Sequence, residues 1–126
     1  MSVGTGFFKD YRGVFMQNLK KNEEFQRIYK IGKKAFGYYA LVYIMKNNVE
    51  YNRCGYVVSK KTGNAVCRNR LKRLFREYYR EKDSFTKQGY DIVFIAKRNA
   101  GNELKTLKLD KLSKDLDKAF KKLGMI

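Results

Sequence analysis

A dense run of basic side chains lies between residues 60 and 80 of the sequence. The run holds a single acid, Glu77, and eight Lys or Arg residues: Lys60, Lys61, Arg68, Arg70, Lys72, Arg73, Arg76 and Arg80. Ammonium and guanidinium groups bind phosphate oxygens, and the planar fork of Arg can donate two parallel hydrogen bonds to them. The run therefore predicts a surface that binds a polyanion.

The same segment has the spacing of an amphipathic helix. Apolar residues recur at helical intervals from Cys67 to Tyr78, and polar or basic residues repeat nearly the same intervals on another face, from Asn69 to Arg80. Asn64 is a good N-cap for this helix. We therefore expect one face of the helix to pack inward and the other to present charge.

Composition favours a folded, single-domain protein with an anionic partner. The chain has 126 residues, enough for one domain with a core of its own. Its 29 Lys and Arg against 12 Asp and Glu give a formal net charge of +17. Such an excess points to nucleic acid as the partner. The 15% aromatic content is that of a chain with a core, and not that of a disordered basic tail.

Several other classes are disfavoured by the sequence. It has two cysteines, Cys54 and Cys67, and no histidine, which argues against a structural zinc site and favours two reduced, buried thiols. The missing histidine also removes the commonest general acid or base, and no acids form a recognisable cluster. We therefore predict no catalytic residue and no metal site in the protein itself. No run approaches the roughly 20 apolar residues of a membrane span, so we expect a cytoplasmic protein without a membrane partner.

Hydrophobic periodicity predicts the remaining elements. A first helix should begin at Asn22 and stop at Gly32, and two strand-like runs follow that should pair as an antiparallel hairpin. The predicted segments after the first helix are strands over 38–45 and 53–60, the basic helix, a strand over 90–96 and a final helix over 109–123. This order gives an α+β fold: a single-domain, two-layer sandwich with helix, strands, helix, strand and helix (α-β-β-β-α-β-α). We expect residues 1–16 to be disordered and residues 17–126 to form the domain.

Three segments in order resemble the protein subunit of bacterial ribonuclease P, the ribonucleoprotein that removes the 5′ leader from precursor tRNA. The string over 57–76, with Arg68-Asn69-Arg70 at its core, is similar to the signature of the family. The segments over 19–32 and 89–96 resemble its opening segment and its last strand. The resemblance covers roughly Leu19 to Leu123.

The resemblance implies a fold and a division of labour. It implies a left-handed strand-helix-strand crossover through the basic helix. It also implies that the RNA subunit performs the hydrolysis with Mg²⁺, while the protein binds ribonuclease P RNA and precursor tRNA and holds no cofactor on its own side chains. No DNA partner is expected. Because family members usually begin shortly before the segment that matches Leu19, a mis-assigned extension with the true start at Met16 is a further hypothesis.

The resemblance also assigns two groups of site residues by matching position. The residues expected to contact the catalytic RNA are Lys60, Lys61, Asn64, Arg68, Asn69, Arg70, Lys72, Arg73 and Arg76. The residues expected to line a cleft for the leader are Phe25, Tyr29 and Tyr43, for which ordinary core packing is the alternative.

Three other functions are alternatives to this one. A ribosomal or other structured-RNA-binding protein without an enzymatic role could use the same basic helix. A DNA-binding domain would want short base-reading side chains on its helix, which an Arg-dominated helix does not offer. An independent nuclease would need the active site that the sequence lacks.

Overall fold

The structure is a computed structural model that describes residues 7–9, 15–19 and 21–126. Strands and helices follow one another along these residues, joined by loops and by two 3₁₀ turns, Lys60–Thr62 and Asp83–Phe85. The elements are β1 (Phe7–Lys9), β2 (Phe15–Asn18), α1 (Asn22–Ile31), β3 (Lys33–Phe36), β4 (Ala40–Lys46), β5 (Arg53–Val57), α2 (Ala65–Lys82), β6 (Tyr90–Ala96), α3 (Arg98–Asn102) and α4 (Leu109–Lys122). The predicted α+β class and the order of its main elements are confirmed.

The described strands form one mixed sheet in the order β1-β2-β5-β6-β4-β3. Strands β5 and β6 are parallel neighbours, with Cys54 opposite Ile92, and α2 connects them. The connection is therefore the strand-helix-strand crossover that the sequence predicted. Its left-handedness stays an expectation from the resemblance.

The predicted hairpin between the strand runs over 38–45 and 53–60 is wrong. Strand β6 lies between β4 and β5, antiparallel to β4 and parallel to β5. The physical reason is burial: in β6 the run from Asp91 to Phe94 is buried without interruption. A strand that is apolar on both faces is most stable in the middle of a sheet, where it has a neighbour on each side.

Strand β4 forms its hairpin with β3, a strand whose residues hydrophobic periodicity did not indicate. Lys34 lies opposite Tyr43 and Phe36 opposite Leu41. Within β3 only Ala35 is buried, so the segment lacks the alternation that identifies a strand. Being an edge strand, β3 can expose charged and aromatic side chains that a central strand would bury.

The main core lies between the sheet and the pair α2 and α4. Phe94 of β6 is at its centre, with ring centroids of Phe75, Tyr78 and Phe120 at 5.7, 6.3 and 5.8 Å. A smaller cluster occupies the opposite face of the sheet, where Ile28 of α1 is fully buried. Helix α1 thus covers part of the face that α2 and α4 leave free.

The helix ends follow the predicted capping chemistry with one shift. Asn64 caps α2 as expected, because its side-chain oxygen accepts a hydrogen bond of 2.9 Å from the backbone N–H of Cys67. The residue type of Asn22 predicts that it is the N-cap of α1, but the cap lies one residue earlier: Lys21 is the N-cap, and its backbone N–H donates to Glu24 Oε1 at 3.3 Å. The final helix ends before Gly124, whose φ of +74° is a left-handed conformation that suits glycine.

Three other predictions concern the chain as a whole. The expectation of a disordered or mis-assigned segment over residues 1–16 falls mainly outside the described residues and stays a prediction. Cys54 and Cys67 are both free thiols, the first buried and the second half-buried. Among the described helices, none combines the length and the apolar character needed to cross a membrane.

Candidate nucleic-acid interface

Helix α2 divides into a buried face and a charged face. Leu71, Phe75 and Tyr78 are fully buried in the main core. On the opposite side, Asn69, Arg70 and Arg73 are exposed. Because the buried aromatic residues fix the rotation of the helix, the charged face has a defined direction relative to the sheet.

The turn before α2 adds cations at the end of the helix that already favours anions. Lys60 and Lys61 are exposed on the 3₁₀ turn, and α2 has no acid in its first turn. The N-terminus of a helix carries a partial positive charge from its free backbone N–H groups. Phosphate oxygens would therefore meet both side-chain and backbone donors here.

Two of the predicted residues also hold the start of α2 in place. Asn64 is exposed but uses its side-chain oxygen as the cap. Arg68 is half-buried and donates from Nη1 to the carbonyl oxygen of Gly63 at 2.9 Å. These contacts shape the turn that presents Lys60 and Lys61, so both residues have a structural role whatever they bind.

Arg76 lies over the sheet as well as beside the charged face. Its guanidinium carbon is 5.4 Å from the ring centroid of Tyr56, which stacks on Phe94 with centroids 5.6 Å apart and planes 9° apart. A cation held over an aromatic ring loses some of its freedom, which preorganises it. Lys72 is half-buried nearby on the helix. The nine predicted residues thus lie on one segment of the chain, from the 3₁₀ turn to the middle of α2, which is called the α2 track below.

The three predicted cleft residues meet on the other face of the sheet. Ring centroids of Phe25 and Tyr29 are 6.4 Å apart, and those of Tyr29 and Tyr43 are 5.1 Å apart. All three rings are half-buried beside the small cluster around Ile28. Burial, and next the neighbouring Tyr43, raise the pKa of Tyr29, so its hydroxyl stays neutral in ordinary buffers. The series is an aromatic surface that solvent can reach.

Further residues on this face were not identified from the sequence. The half-buried side chains of Leu41, Val57 and Ile95 continue the surface beyond Tyr43. Cross-strand pairing places them on the same face, because Tyr43 pairs with Val93 and Leu41 with Ile95. The alternation within each strand could have indicated these residues, but only the strand order shows which faces coincide.

The described residues do not bring together a metal site. No three His, Cys, Asp or Glu side chains converge within the part of the chain that the structure covers. Asp91, which is almost fully buried, accepts hydrogen bonds from Arg53 Nε and Nη2, both at 2.7 Å. This carboxylate is neutralised by a fixed guanidinium and belongs to the packing of α1 on the sheet.

A basic helix on one side of a small mixed sheet and a half-buried aromatic series on the other define a single-domain α+β protein whose surfaces suit the RNA-binding class. The family model described as ribonuclease P matches residues 16–124 of the chain. The chain belongs to the bacterial ribonuclease P protein family.

Relatives of known name support the same assignment. A ribonuclease P protein component from Fusobacterium nucleatum is 48% identical over 111 residues, which cover 88% of this chain and 100% of the relative. One from Clostridioides difficile is 44% identical, covering 85% of this chain and 88% of the relative. Among solved structures, the RNase P protein of Staphylococcus aureus is 34% identical with a TM-score of 0.77, over 86% of this chain and 95% of that one. The protein from Thermotoga maritima is 33% identical with a TM-score of 0.74, over 79% and 91%.

The family assignment made from the three sequence segments is thereby confirmed. The chain is a protein component of ribonuclease P, the ribonucleoprotein endoribonuclease of tRNA 5′ processing. The expectation that it is a subunit of an enzyme is confirmed as well. Which residues meet which RNA stays a prediction.

Proposed function

We propose that the chain uses its two faces for two different RNAs. The track from Lys60 to Arg76 binds the catalytic RNA of ribonuclease P, and the cleft of Phe25, Tyr29 and Tyr43 binds the unpaired 5′ leader of precursor tRNA. The single observation that supports this division is the aromatic series: it lies open on one face of the sheet, while the main core fills the other. Cytoplasmic location, beside tRNA precursors, is part of this proposal.

On the helix side the interaction is electrostatic. Each phosphate neutralised by Lys or Arg releases condensed counterions, so affinity for the catalytic RNA falls steeply with salt. The RNA partner binds the Mg²⁺ ions that activate water for phosphodiester hydrolysis. The protein's residues contribute by neutralising phosphates that would otherwise repel one another, which lowers the Mg²⁺ concentration needed for assembly.

On the cleft side the interaction is stacking. An unpaired base gains about 1–3 kcal/mol from stacking on an aromatic side chain, with little dependence on its identity. Mature tRNA has no leader and gains none of this energy. The cleft therefore makes the enzyme prefer precursor over product, which also limits product inhibition.

Reconstitution tests both assignments together. The chain is combined with a bacterial ribonuclease P RNA, and cleavage of a precursor tRNA is measured at low Mg²⁺ with and without protein. We expect strong stimulation and a cut at the mature 5′ end. Stimulation that is absent despite salt-sensitive RNA binding would contradict the proposal and favour a structured-RNA-binding protein without an enzymatic role.

Tyr43→Ala separates the cleft from ordinary core. We expect the variant to bind precursor tRNA about 5-fold or more weakly, with mature tRNA and catalytic RNA bound as before. Phe85→Ala is the matched control, because Phe85 is an aromatic residue that is 75% exposed on the 3₁₀ turn after α2 and is not part of the proposed cleft. Equal discrimination between precursor and mature tRNA by Tyr43→Ala and the parent would show that the ring only packs.

A further inference from the structure

Phe36 exposes an aromatic ring at the edge of the cleft face. It is 55% exposed at the end of β3, the outermost strand on this side of the sheet. A single exposed Phe is ordinary on a protein surface and by itself indicates nothing. Phe36 differs from such residues in its surroundings, which place positive charge on both the strand and the loop beside it.

Two lysine ammonium groups lie near this ring. Lys34 Nζ is 5.6 Å and Lys97 Nζ is 5.4 Å from the ring centroid of Phe36. Lys97 is also fixed in place, because its ammonium donates to the carbonyl oxygen of Gly37 at 2.6 Å. An ammonium has three donors, so Lys97 retains two for a ligand. In the described chain, neither lysine forms an ion pair with a carboxylate.

The ring and the proposed leader cleft belong to one surface. Lys34 lies opposite Tyr43 in the β3–β4 pairing, and its ammonium is 6.0 Å from the Tyr43 ring as well as close to Phe36. Phe36 is therefore the diagonal neighbour of Tyr43 on the same face of the sheet. Diagonal neighbours in an antiparallel pair are about 7–8 Å apart, a separation that one step of an unstacked nucleotide strand bridges.

The chemistry of the cluster fits a nucleotide. A base supplies a π face for the Phe36 ring, and its phosphate supplies an anion for Lys34 and Lys97. An acidic peptide would satisfy the lysines and leave the ring without a stacking partner. Because Lys34 lies between the two rings, a phosphate bound there would link a base on Tyr43 to a base on Phe36.

We propose that Phe36, Lys34 and Lys97 form an additional stacking site for an unpaired nucleotide of the strand that contacts Tyr43. The inference rests on the proposed function, since it takes the leader as the ligand. The additional site predicts a minimum leader length, because a leader must extend past Tyr43 to the β3 edge before it can contact Phe36. Leaders that end earlier bind without it.

A leader-length series tests this site in the reconstituted ribonucleoprotein. Precursor tRNAs whose leaders lengthen by one nucleotide at a time are titrated against the parent, Phe36→Ala, Phe36→Tyr and Phe85→Ala. We expect the parent's affinity to increase at one particular length, and Phe36→Ala to lose about 5-fold or more only at that length and beyond. Phe36→Tyr keeps the ring and should retain the increase. Phe85→Ala should behave as the parent.

The outcomes separate this inference from the proposed function. A loss in Phe36→Ala that is equal at all leader lengths, including none, would overturn the site, because it would report a change in folding or assembly. No loss at any length, alongside a clear loss in Tyr43→Ala, would overturn the site and leave the cleft standing. No loss in either variant would overturn both.

Discussion

The ring of Phe25 in α1 lies directly over Gly55 in β5. A Cβ atom at position 55 would come within 2.5 Å of Phe25 Cε1 and 2.7 Å of Cζ. Such a separation is far shorter than a van der Waals contact between carbons. The absence of a side chain at Gly55 therefore lets α1 approach the sheet closely at Phe25, the first ring of the aromatic series.

Gly55→Ala should consequently push the Phe25 ring out of its place. Forcing an extra methyl group into a packed contact costs about 1–3 kcal/mol, which we expect as a loss in the free energy of unfolding measured with urea. The double variant Gly55→Ala with Phe25→Ala is the control, because without the ring the methyl group meets no obstacle. If Gly55→Ala costs the same in both backgrounds, the two residues are not coupled and the packing argument fails.

Arg53 joins α1 to the sheet through two carboxylates. It donates to Asp91 and also forms an ion pair with Glu24, with Nη1 2.9 Å from Oε2. The hydrogen bond with Asp91 raises the pKa of Arg53, so the guanidinium is permanently charged. Arg53→Ala would leave the Asp91 carboxylate, 2% exposed, without its main partner.

We expect Arg53→Ala to lower the free energy of unfolding by about 3 kcal/mol. This is the smaller end of the cost of breaking a buried ion pair, because Arg53 is partly exposed to water. Glu24→Gln provides the comparison: Glu24 is a quarter exposed, so this change should cost under about 1 kcal/mol. Urea unfolding curves of the three proteins decide the point. Similar losses in both variants would show that Asp91 is not the critical partner.

Local sequence patterns predicted most helices and strands of this fold. They could not predict which strands pair with each other in the sheet. The α2 segment was identified because its apolar residues recur at helical spacing over about three turns. Strand β6 was identified because it is a long run of β-branched and aromatic residues. Whether β4 pairs with β5 or with β6 depends on contacts between residues about fifty positions apart, which no local window contains.

The candidate site divides in the same way. The charged face of α2 follows from residue types and spacing alone, and its position opposite Leu71 and Phe75 agrees with that prediction. The cleft could be assigned only through the resemblance to a family, because its residues come from separate elements. Phe36 was not identified because no strand was assigned to residues 33–36.

Arg73 and Arg68 should respond differently to truncation. Arg73 is exposed, so Arg73→Ala should reduce the salt dependence of catalytic-RNA binding by roughly one in log–log slope, with stability unchanged. Arg68→Ala should also lose its hydrogen bond to Gly63, and with it about 1 kcal/mol of stability. Added Mg²⁺ should restore activity in both variants, because divalent ions replace part of the lost neutralisation.

Salt titrations of RNA affinity and urea unfolding separate the two effects. Lys118→Ala is the matched control, because it removes one exposed positive charge from α4 instead of α2. If Lys118→Ala changes the log–log slope of RNA affinity against salt as much as Arg73→Ala does, the affinity depends on total charge and not on the α2 track. Unchanged affinity in both Arg variants would contradict the assignment of α2 directly.

Glu103 couples the β3–β4 loop to the loop before α4 in a pH-dependent way. Its carboxylate accepts hydrogen bonds from the hydroxyls of Tyr38 at 2.8 Å and Tyr39 at 2.9 Å. These bonds, that of Tyr38 first, lower the pKa of Glu103 in the folded protein. A lowered folded pKa means that the charged form stabilises the fold above the ordinary glutamate pKa, about 4.3, and that this stabilisation disappears as the pH falls through the lower folded value.

Glu103→Gln should therefore be less stable than the parent at neutral pH, and the two should converge as the pH falls below the ordinary glutamate pKa. Free energies of unfolding from urea curves, measured across that acid range, give the slope for each protein. The double variant Tyr38→Phe with Tyr39→Phe keeps the carboxylate and removes both donors. Its free energy of unfolding should therefore lose the same pH dependence that Glu103→Gln loses. If the free energy of unfolding of Glu103→Gln instead falls with acid as steeply as that of the parent, the pH dependence arises at other carboxylates. The loop would then be held by packing, because the ring centroids of Tyr38 and Tyr39 are 4.8 Å apart whatever the charge on Glu103.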